Sequence, residues 1–549
     1  MHDLSHRSAD PDRPRPSVSW QRQSTVAIAI FAVSLILLWI GMDRFAFNIY
    51  DEGVIVYGAE RVLQGDVPYR DFWGVYPPGQ FWSVAALFKL FGSSILVERF
   101  WDMSLRAGIA LMSYLIAARL ASVRCALVVW TLSLAWLWAI GYPGYPMIPA
   151  LLLTLLSSWF FISFLASSSS RKDLFAAGIF VGLTVAFRHD VGFQIFVAEV
   201  VTLISLAVIG RSARSRAVET RSTLLSDGLM LGGGIAVTLV PLLIYLVATV
   251  PMHDLLDQLI IFPATVYPVV RSVPYPSIFD TPPVEVFPYY FHFIVLALAG
   301  IYLYRARSKK FQESNLDLWK AVLFLFWLIG LMFLKSLVRP DYPHLIHVFV
   351  PSVLLAAVLF STQHNDARVH GEKLVLLIAL FGMAVYPAVT ARAALVRYIV
   401  MLQDPSKVPH PSGLSRAGGL AIPKDQAAAL DYVREHVRPG AKIFVGAGRH
   451  DTVLLNDVMF YFLAERGSAT RYHELHPGLA TTLSAQQTIV DDLLHNHVQY
   501  VVLYLGFDDH SEPNRRALST HVEKLDAFLQ ERYRTVFESG YYKVLELRD

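Results

Sequence analysis

The chain has almost no cysteine and a low share of charged residues for its length. Of its 549 residues one, Cys125, is a cysteine, so the chain can form no internal disulfide and no cysteine-based metal site. Cys125 lies in an apolar run, which is typical of a small buried hydrophobic side chain. Charged residues make up 17% and the formal net charge is +3, which provides no broad positive surface. Nucleic acid is therefore not expected as a partner.

Hydrophobic residues, by contrast, make up 54% of the chain, and the mean hydropathy is +0.45. A soluble enzyme of this size is less apolar, so the lipid bilayer is the expected solvent and partner. Apolar runs of about 17–25 residues are long enough to cross the hydrocarbon core as helices. About eleven segments meet this test: 25–42, 101–118, 125–141, 147–166, 173–187, 192–210, 229–250, 288–304, 319–337, 345–361 and 372–391. The predicted fold class is a polytopic α-helical membrane protein.

The distribution of Lys and Arg predicts how these helices are oriented. With the N-terminal tail, 1–24, in the cytoplasm, the segments on that side carry 18 Lys and Arg, counting Lys373 at the last boundary. The short loops on the opposite side carry only Arg188, Arg271 and Arg339. This asymmetry is the one that the positive-inside rule describes. It places the polar segments 51–80, 188–190 and 339–344 together on the external side of the membrane.

The composition changes near residue 420 to that of a water-soluble domain. Amphipathic helical runs at 424–436, 484–496 and 515–532 alternate with β-like runs at 441–446, 498–505 and 541–547. This alternation predicts a small α/β domain around a partly parallel sheet. The domain boundaries follow: a transmembrane domain at 25–404 with an external loop at 43–100, a linker at 405–423, and an external α/β domain at 424–549.

The first external loop joins an acidic pair to a Pro-aromatic turn region. It reads FNIYDEGVIVYGAERVLQGDVPYRDFWGVYPPGQFW, in which the acids are Asp51 and Glu52. The apolar residues after them are spaced as in an amphipathic helix that lies in the membrane surface and ends near Gly65. The run 80–91 is long enough for a second surface helix. The two acids would then lie at the external end of the first span.

The acidic pair, the step Tyr57-Gly58-Ala59, GDVPYRDF and YPPG together resemble the first periplasmic loop of C-type (GT-C) glycosyltransferases. More narrowly, they are similar to bacterial relatives of protein O-mannosyltransferases and of the aminoarabinose transferase of lipid A. The resemblance implies a GT-C-like membrane domain in the bacterial cytoplasmic (inner) membrane. It also implies a polyprenyl-phosphate sugar as donor, a lipid, glycan or protein as acceptor, and an acid on this loop as general base.

Such an enzyme, a hexosyl- or pentosyltransferase, would move a sugar from a lipid phosphate to a hydroxyl group and invert the anomeric carbon. One carboxylate suffices, because it takes the acceptor proton while positive charge stabilises the leaving phosphate. We predict Asp51 as this base and Glu52 as the second candidate, or as a residue that positions the acceptor. Arg70 and Tyr76, in the same loop, are expected to support the site. An acidic pair that merely ends a helix in water is the structural alternative.

Two further polar clusters share the external side. One holds Arg188, His189 and Asp190, and the other Arg339, Asp341 and His344. Ionisable groups this close to hydrocarbon face a cavity or pair with one another. We predict that Arg188, His189, Arg339 and His344 bind the donor phosphate and that Asp190 and Asp341 orient them. The alternative is a local Arg-Asp pair that caps a membrane turn.

Three alternatives stay open at this level. A divalent metal is possible, because Asp and His are present, but no HExxH-like spacing defines a ligand set, so no metal site is predicted. A lipid-linked-sugar flippase or another transporter would place polar residues at mid-membrane positions, whereas these clusters lie at one face. A structural or assembly protein would need neither acids nor arginines that converge there.

Overall fold

The computed structural model describes residues 20–45, 47–141, 143–166, 170–211, 217–306, 309–362, 367–404, 412–508 and 518–548. Most of the predicted cytoplasmic tail, the first part of the predicted linker and the start of the predicted helix at 515–532 lie outside these ranges. The described helices are α1 (Trp20–Ile40), α2 (Asp51–Leu63), α3 (Gly79–Phe91), α4 (Ile95–Leu120), α5 (Val123–Ala139), α6 (Met147–Ala166), α7 (Arg171–Phe187), α8 (His189–Arg211), α9 (Ala217–Thr249), α10 (Met252–Leu256), α11 (Phe262–Thr265), α12 (Tyr267–Arg271), α13 (Pro283–Arg305), α14 (Lys309–Ser336), α15 (Tyr342–Thr362), α16 (Ala367–Gln403), α17 (Lys424–His436), α18 (Met459–Ala464), α19 (Leu483–His495) and α20 (Lys524–Arg532).

The long helices confirm the predicted membrane class. The eleven predicted segments each overlap a different helix. These helices are α1, α4 to α9, and α13 to α16. Eight described helices are long and apolar enough to cross a membrane, and Ser24–Ile40 and Val123–Ala139 are shorter apolar helices. The total of eleven spans stays a prediction.

Small residues let α7 and α9 approach closely. A Cβ atom added at Gly178 in α7 would lie 2.2 Å from the carbonyl oxygen of Leu231 in α9. One added at Gly234 in α9 would lie 2.1 Å from the carbonyl oxygen of Phe175 in α7. Packing through small residues is a common way to associate helices in lipid, where hydrophobic burial between helices contributes little.

Helix packing also brings the polar clusters together. The N-terminus of α8 carries the Arg188 cluster, and the turn between α14 and α15 carries the Arg339 cluster. Lys335, near the end of α14, has its Nζ 3.3 Å from the Asp190 carboxylate at the start of α8, so these two turns lie at the same end of the helical bundle. The packing therefore explains how segments about 150 positions apart reach one place.

The helix after the first span differs from the predicted surface helix. It begins at Asp51 and ends at Leu63, close to the predicted end at Gly65, but it is buried on every side from Glu52 to Glu60. It packs against α3 on one side and against α18 of the C-terminal domain on another. At Gly53 an added Cβ atom would lie 2.5 Å from the backbone nitrogen of Met459. The prediction of a surface helix was wrong because the sequence pattern did not reveal this second covering layer.

The C-terminal domain is built on a mixed five-stranded sheet. Its strands are β1 (Lys442–Ala447), β2 (Gly467–Ser468), β3 (Tyr500–Tyr504), β4 (Tyr533–Ser539) and β5 (Tyr542–Leu547), in the order β2-β1-β3-β5-β4. β1 pairs in parallel with β2 and β3, whereas β5 is antiparallel to β3 and β4. The predicted partly parallel α/β domain is confirmed, and β2 and β4 are additions to it. The loop between β2 and α19 points toward the N-terminus of α2.

Candidate active site

A cavity of about 70 Å³ lies where α2, the external loops and the C-terminal domain meet. Its wall combines carboxylates, tyrosines, histidines and one arginine with apolar residues. The lining residues are Tyr50, Asp51, Val54, Ile55, Tyr76, Tyr145, Pro146, Tyr267, Arg271, His344, Leu455, Glu474, His476 and Pro477. Three of the predicted site residues, Asp51, Tyr76 and His344, therefore share one space.

Asp51 is held at the first position of α2 by Asn48. The Asn48 side-chain oxygen accepts hydrogen bonds from the backbone N–H groups of Tyr50, at 3.2 Å, and Asp51, at 2.8 Å. The Asn48 side-chain nitrogen donates to Asp51 Oδ2 at 3.0 Å. A carboxylate at a helix N-terminus is stabilised in its charged form by the helix dipole and by such donors. The local sequence thus fixes an oriented carboxylate at the cavity wall.

The turn region after α2 is rigid and sets the position of Tyr76. Tyr69 adopts a left-handed backbone conformation, φ 71°, and its hydroxyl donates to the carbonyl oxygen of Tyr76 at 2.6 Å. The Tyr69 carbonyl oxygen accepts from Gln258 Nε2 at 3.0 Å and from an Arg471 guanidinium nitrogen at 2.7 Å. A strained, fully buried residue with this many partners indicates a loop whose shape is defined from three parts of the chain.

The Arg188 cluster lies directly behind the tyrosines of the cavity. Arg188 contacts both carboxylate oxygens of Asp190, at 3.0 and 2.7 Å, and its guanidinium lies 5.1 Å from the ring centre of Tyr76 and 5.8 Å from that of Tyr145. Lys335 Nζ lies 3.3 Å from the same Asp190 carboxylate. Arg188 therefore supports the cavity wall through two rings instead of lining it.

The Arg339 cluster carries His344 and supports Arg271. Arg339 Nε donates to Asp341 at 3.0 Å, and Nη1 donates to the carbonyl oxygen of Arg271 at 3.3 Å. Asp341 also contacts the His344 ring nitrogen Nδ1, and the charges of His344 and Arg339 lower the Asp341 pKa against the effect of burial. The His344 ring stands edge-on to Tyr145, with 5.6 Å between ring centres. Asp341 thus contacts both the backbone N–H and the ring of His344.

Two titratable residues of the wall come from the C-terminal domain. Glu474 is 3% exposed and lies beside Tyr50 and Asp51; burial, with the Asp51 charge, raises the Glu474 pKa to about 8. His476 packs against Trp73 and Phe262, at 5.1 and 5.4 Å between ring centres, and burial, with the nearby Arg271 charge, lowers its pKa to about 3. At neutral pH the cavity therefore contains a protonated Glu474 and an uncharged His476.

The structure places Glu52 away from the cavity, in contrast to its neighbour. Glu52 is fully buried and accepts two hydrogen bonds from Arg99, from Nε at 2.6 Å and Nη2 at 2.9 Å. Consecutive residues on a helix point in directions about 100° apart, so the two acids face different surroundings. A buried carboxylate that accepts two hydrogen bonds from one arginine is a poor base. The prediction of Glu52 as second candidate base is therefore replaced by a structural role.

The remaining predicted residues lie outside the cavity lining. Arg70 is half exposed and pairs with its neighbour Asp71 at 2.8 Å, so the expected support from Arg70 does not extend to the cavity wall. His189 is half-buried at the start of α8, next to the Arg188–Asp190 pair. No group of three His, Cys, Asp or Glu side chains in the described part of the chain is arranged to hold a metal ion.

A second, larger cavity of about 750 Å³ lies beside α1, α4, α5 and α16. Asn48 and Arg99 contribute to its wall, so Asn48 stands between this space and the cavity that Asp51 lines. Its wall is mainly apolar and carries an Arg397–Asp43 ion pair at 2.9 Å.

The sequence matches no family model and no curated protein, but solved structures match its fold along almost the whole chain. ArnT from Cupriavidus metallidurans in the apo state is 13% identical, with a TM-score of 0.55 over 95% of this chain and 98% of that chain. The same protein bound to undecaprenyl phosphate is 15% identical, with a TM-score of 0.52 over the same shares. The Archaeoglobus fulgidus oligosaccharyltransferase, in complex with Zn and sulfate, is 11% identical, with a TM-score of 0.52 over 94% of this chain and 72% of that chain. These are GT-C glycosyltransferases, so the GT-C-like fold is confirmed.

Proposed function

We propose that a chain with this GT-C fold is an inverting glycosyltransferase that moves a sugar from a polyprenyl-phosphate carrier to a hydroxyl acceptor. The observation that carries the proposal is that Asp51 and Arg271 line one cavity beside the membrane helices. A carboxylate and a guanidinium in one site are the two charged groups that this transfer needs.

In this reaction the acceptor hydroxyl attacks the anomeric carbon from the face opposite the phosphate. Asp51 accepts the hydroxyl proton as the new C–O bond forms, and the bond between the sugar and the phosphate oxygen breaks. Asn48 keeps the Asp51 carboxylate oriented during this step through the 3.0 Å hydrogen bond.

The leaving phosphate gains negative charge and needs a cation and hydrogen-bond donors. Arg271 is the arginine in the cavity wall, and we assign to it the direct phosphate contact with His344 beside it. Arg188 and Arg339 then position these groups: Arg188 lies against the rings of Tyr76 and Tyr145, and Arg339 binds the backbone of Arg271. This revises the prediction that Arg188, His189 and Arg339 bind the phosphate themselves.

The cavity is smaller than the roughly 300–1,000 Å³ of small-molecule sites in proteins. A sugar phosphate therefore requires the wall to open. The segment that carries Tyr267 and Arg271 begins with a π-helical turn at Asp257–Ile261 and continues through the short helices α11 and α12. Because these short elements are less constrained than the long helices, we assign the opening movement to this segment.

The proposed enzyme works on the external face of a bacterial cytoplasmic membrane, with the C-terminal domain on the same side. The positive-inside distribution of Lys and Arg supports this orientation. Undecaprenyl phosphate, the lipid named for the ArnT structure, is the carrier to test first. The sugar is a hexose or a pentose, and the acceptor is a lipid, a glycan or a protein. A divalent metal stays a lesser possibility.

The test is transfer of labelled sugar from synthetic polyprenyl-phosphate donors by the full chain in proteoliposomes. Asp51→Asn keeps the size of the side chain and removes its basicity, so the turnover rate is expected to fall roughly 100-fold or more while donor binding persists. Glu538→Gln changes an exposed carboxylate that pairs with Lys543 on the sheet, and serves as the control. Transfer by Asp51→Asn at the rate of the unmodified protein would refute the assignment.

A further inference from the structure

We propose that Glu474, supplied by the C-terminal domain, is a second carboxyl group of the reaction centre, which lies in one cavity with Asp51 and donates a hydrogen bond to a substrate hydroxyl. The inference rests on the proposed function and extends it to a domain that neither the first-loop motif nor the shared fold assigns to catalysis. Glu474 and Asp51 line the same cavity, although they lie more than 400 positions apart in the chain.

Hydrogen bonds on both sides of Glu474 fix the backbone of the loop that carries it. Asn456 lies beneath the loop: its side-chain nitrogen donates to the carbonyl oxygen of His473 at 2.8 Å, and its side-chain oxygen accepts from the backbone N–H of Leu475 at 3.0 Å. The residues before and after Glu474 are therefore both fixed by one buried amide. On the other side of the loop, the Arg471 carbonyl oxygen accepts from the backbone N–H of Trp73 at 3.1 Å.

The His473 ring packs between this loop and α2. It stands edge-on to Tyr57 and Phe72, with ring centres 5.2 and 5.3 Å apart, and its Nδ1 lies 3.3 Å from an Arg61 guanidinium nitrogen. These contacts hold the Glu474 backbone against the helix that carries Asp51. A side chain that is 3% exposed on so constrained a loop has a defined direction into the cavity.

The charges around Glu474 favour its neutral form. Asp51 already supplies one negative charge, and Arg271 is the cation that the anionic donor needs. An ionised Glu474 would compete for Arg271 and repel the phosphate, whereas a protonated Glu474 adds a donor without adding charge. The titratable and charged groups that face it from the surrounding elements are Tyr50 and Asp51 of the α2 start, Tyr76, Tyr145, Tyr267, Arg271, His344 and His476. Burial and the Asp51 charge account for the raised pKa of Glu474, about 8.

The proton balance of the step follows from this pair. Before transfer the two carboxyl groups hold one proton, on Glu474. The acceptor O–H bond breaks and its proton goes to Asp51, while the electron pair of the broken sugar–phosphate bond stays on the phosphate. The pair then holds two protons and returns to its resting state by releasing one to water.

The first experiment does not depend on any substrate. Infrared difference spectra of the full chain in lipid nanodiscs, recorded across a pH titration, detect protonated carboxyl groups. We expect a carboxyl band that titrates near pH 8, disappears in Glu474→Gln and titrates at lower pH in Asp51→Asn, because the Asp51 charge is then gone. Absence of the band at pH 7, or a midpoint that Asp51→Asn leaves unchanged, would overturn the proposal.

The second experiment measures transfer against pH. The rate of the unmodified protein should fall as pH rises past about 8, when Glu474 ionises. Glu474→Gln keeps a neutral hydrogen-bond donor, so it should lose this alkaline decline and keep a higher rate at pH 7 than Glu474→Ala, which should lose roughly tenfold or more. A Glu474→Gln variant that keeps the decline, or a fully active Glu474→Ala, contradicts the role. If the unmodified protein transfers no lipid-linked sugar, the proposed function fails. The infrared titration still decides whether Glu474 is protonated at pH 7 and whether Asp51 affects its midpoint.

Discussion

Arg99, in α4, donates hydrogen bonds to both carboxylate oxygens of Glu52, from Nε to Oε1 at 2.6 Å and from Nη2 to Oε2 at 2.9 Å. Neither side chain is more than 5% exposed. Arg99 also donates to the carbonyl oxygen of Asp43, in the segment that follows α1. One arginine thus connects α4, the start of α2 and the chain segment that joins α2 to α1. This interaction separates the roles of the two adjacent acids.

Removing the Glu52 charge should destabilise the fold and not merely slow the reaction. Glu52→Gln removes the negative charge that pairs directly with the buried Arg99, and breaking a buried pair of this kind costs about 3–5 kcal/mol. Thermal unfolding of the purified protein in detergent should show a clearly lowered midpoint. Asp51→Asn, one position earlier, is the matched control and should unfold close to the unmodified protein. Equal midpoints for the two variants would contradict the assignment of Glu52 to structure.

Arg271 should determine how tightly the anionic donor binds. Arg271→Ala removes a charge-assisted contact worth about 1.5–3 kcal/mol, which corresponds to a KM for the lipid donor raised roughly 10- to 100-fold. Arg271→Lys keeps the positive charge but loses the two parallel N–H donors of the guanidinium group, so an intermediate KM is expected. Donor titrations in proteoliposomes measure the change. Arg534→Ala, on the exposed side of β4, provides the control, and an unaltered donor KM in Arg271→Ala would exclude Arg271 from the phosphate site.

The contact between Tyr57 and Ser468 should be needed to keep the C-terminal domain on α2. The Ser468 backbone N–H donates to the Tyr57 hydroxyl oxygen at 2.6 Å in a fully buried place. Tyr57→Phe leaves that N–H unpaired, at a cost of about 1–3 kcal/mol. Limited proteolysis should then release fragments of the C-terminal domain sooner than from the unmodified protein. Tyr541→Phe changes an exposed tyrosine and should show the original pattern.

The stability of the C-terminal domain should decrease as pH rises from about 4 to about 6. Burial raises the Asp457 pKa to about 6, although Gln426 and Tyr542 each donate to its carboxylate at 2.7 Å. Between the unfolded and folded pKa values the folded state holds a proton that the unfolded state has lost, so stability is greatest below this range and is reduced above it. The change amounts to about 2–3 kcal/mol.

Denaturant unfolding followed by the domain's fluorescence at several pH values measures this slope. Asp457→Asn should remove most of the change between pH 4 and pH 6. Asp425→Asn, an acid in the first turn of α17 with no comparable burial, is the control. If the slope persists in Asp457→Asn, another group is responsible for it.

Much of the fold was predictable because it depends on local composition. Length and apolarity located the membrane helices, and alternating periodicity located three strands of the sheet. The buried state of α2 was not predictable, because its covering layer comes from residues about 400 positions later in the chain. The same pattern of spacing is typical of a helix that lies on a membrane and of one enclosed by two domains.

The site was predictable where charge stood out against an apolar background, as at Asp51 and His344. Glu474 and His476 lie in the polar loop of a soluble domain, where acids and histidines are common and carry no signal. In the sequence, Arg271 stood out only as one of the three arginines in the short loops predicted to be external. Glu52 was misassigned because its sequence neighbours do not reveal Arg99, 47 positions away.

The division of the cavity between the two ends of the chain also sets when the cavity can form during synthesis. Asp51 follows the first membrane helix, and Glu474 follows the last described one. During synthesis the N-terminal half is inserted long before the loop that carries Glu474 emerges. A nascent or truncated chain therefore presents Asp51 without its cover, and the cavity is complete only after the C-terminal domain has folded against α2. The proposed activity thus requires a chain that is complete through the loop that carries Glu474.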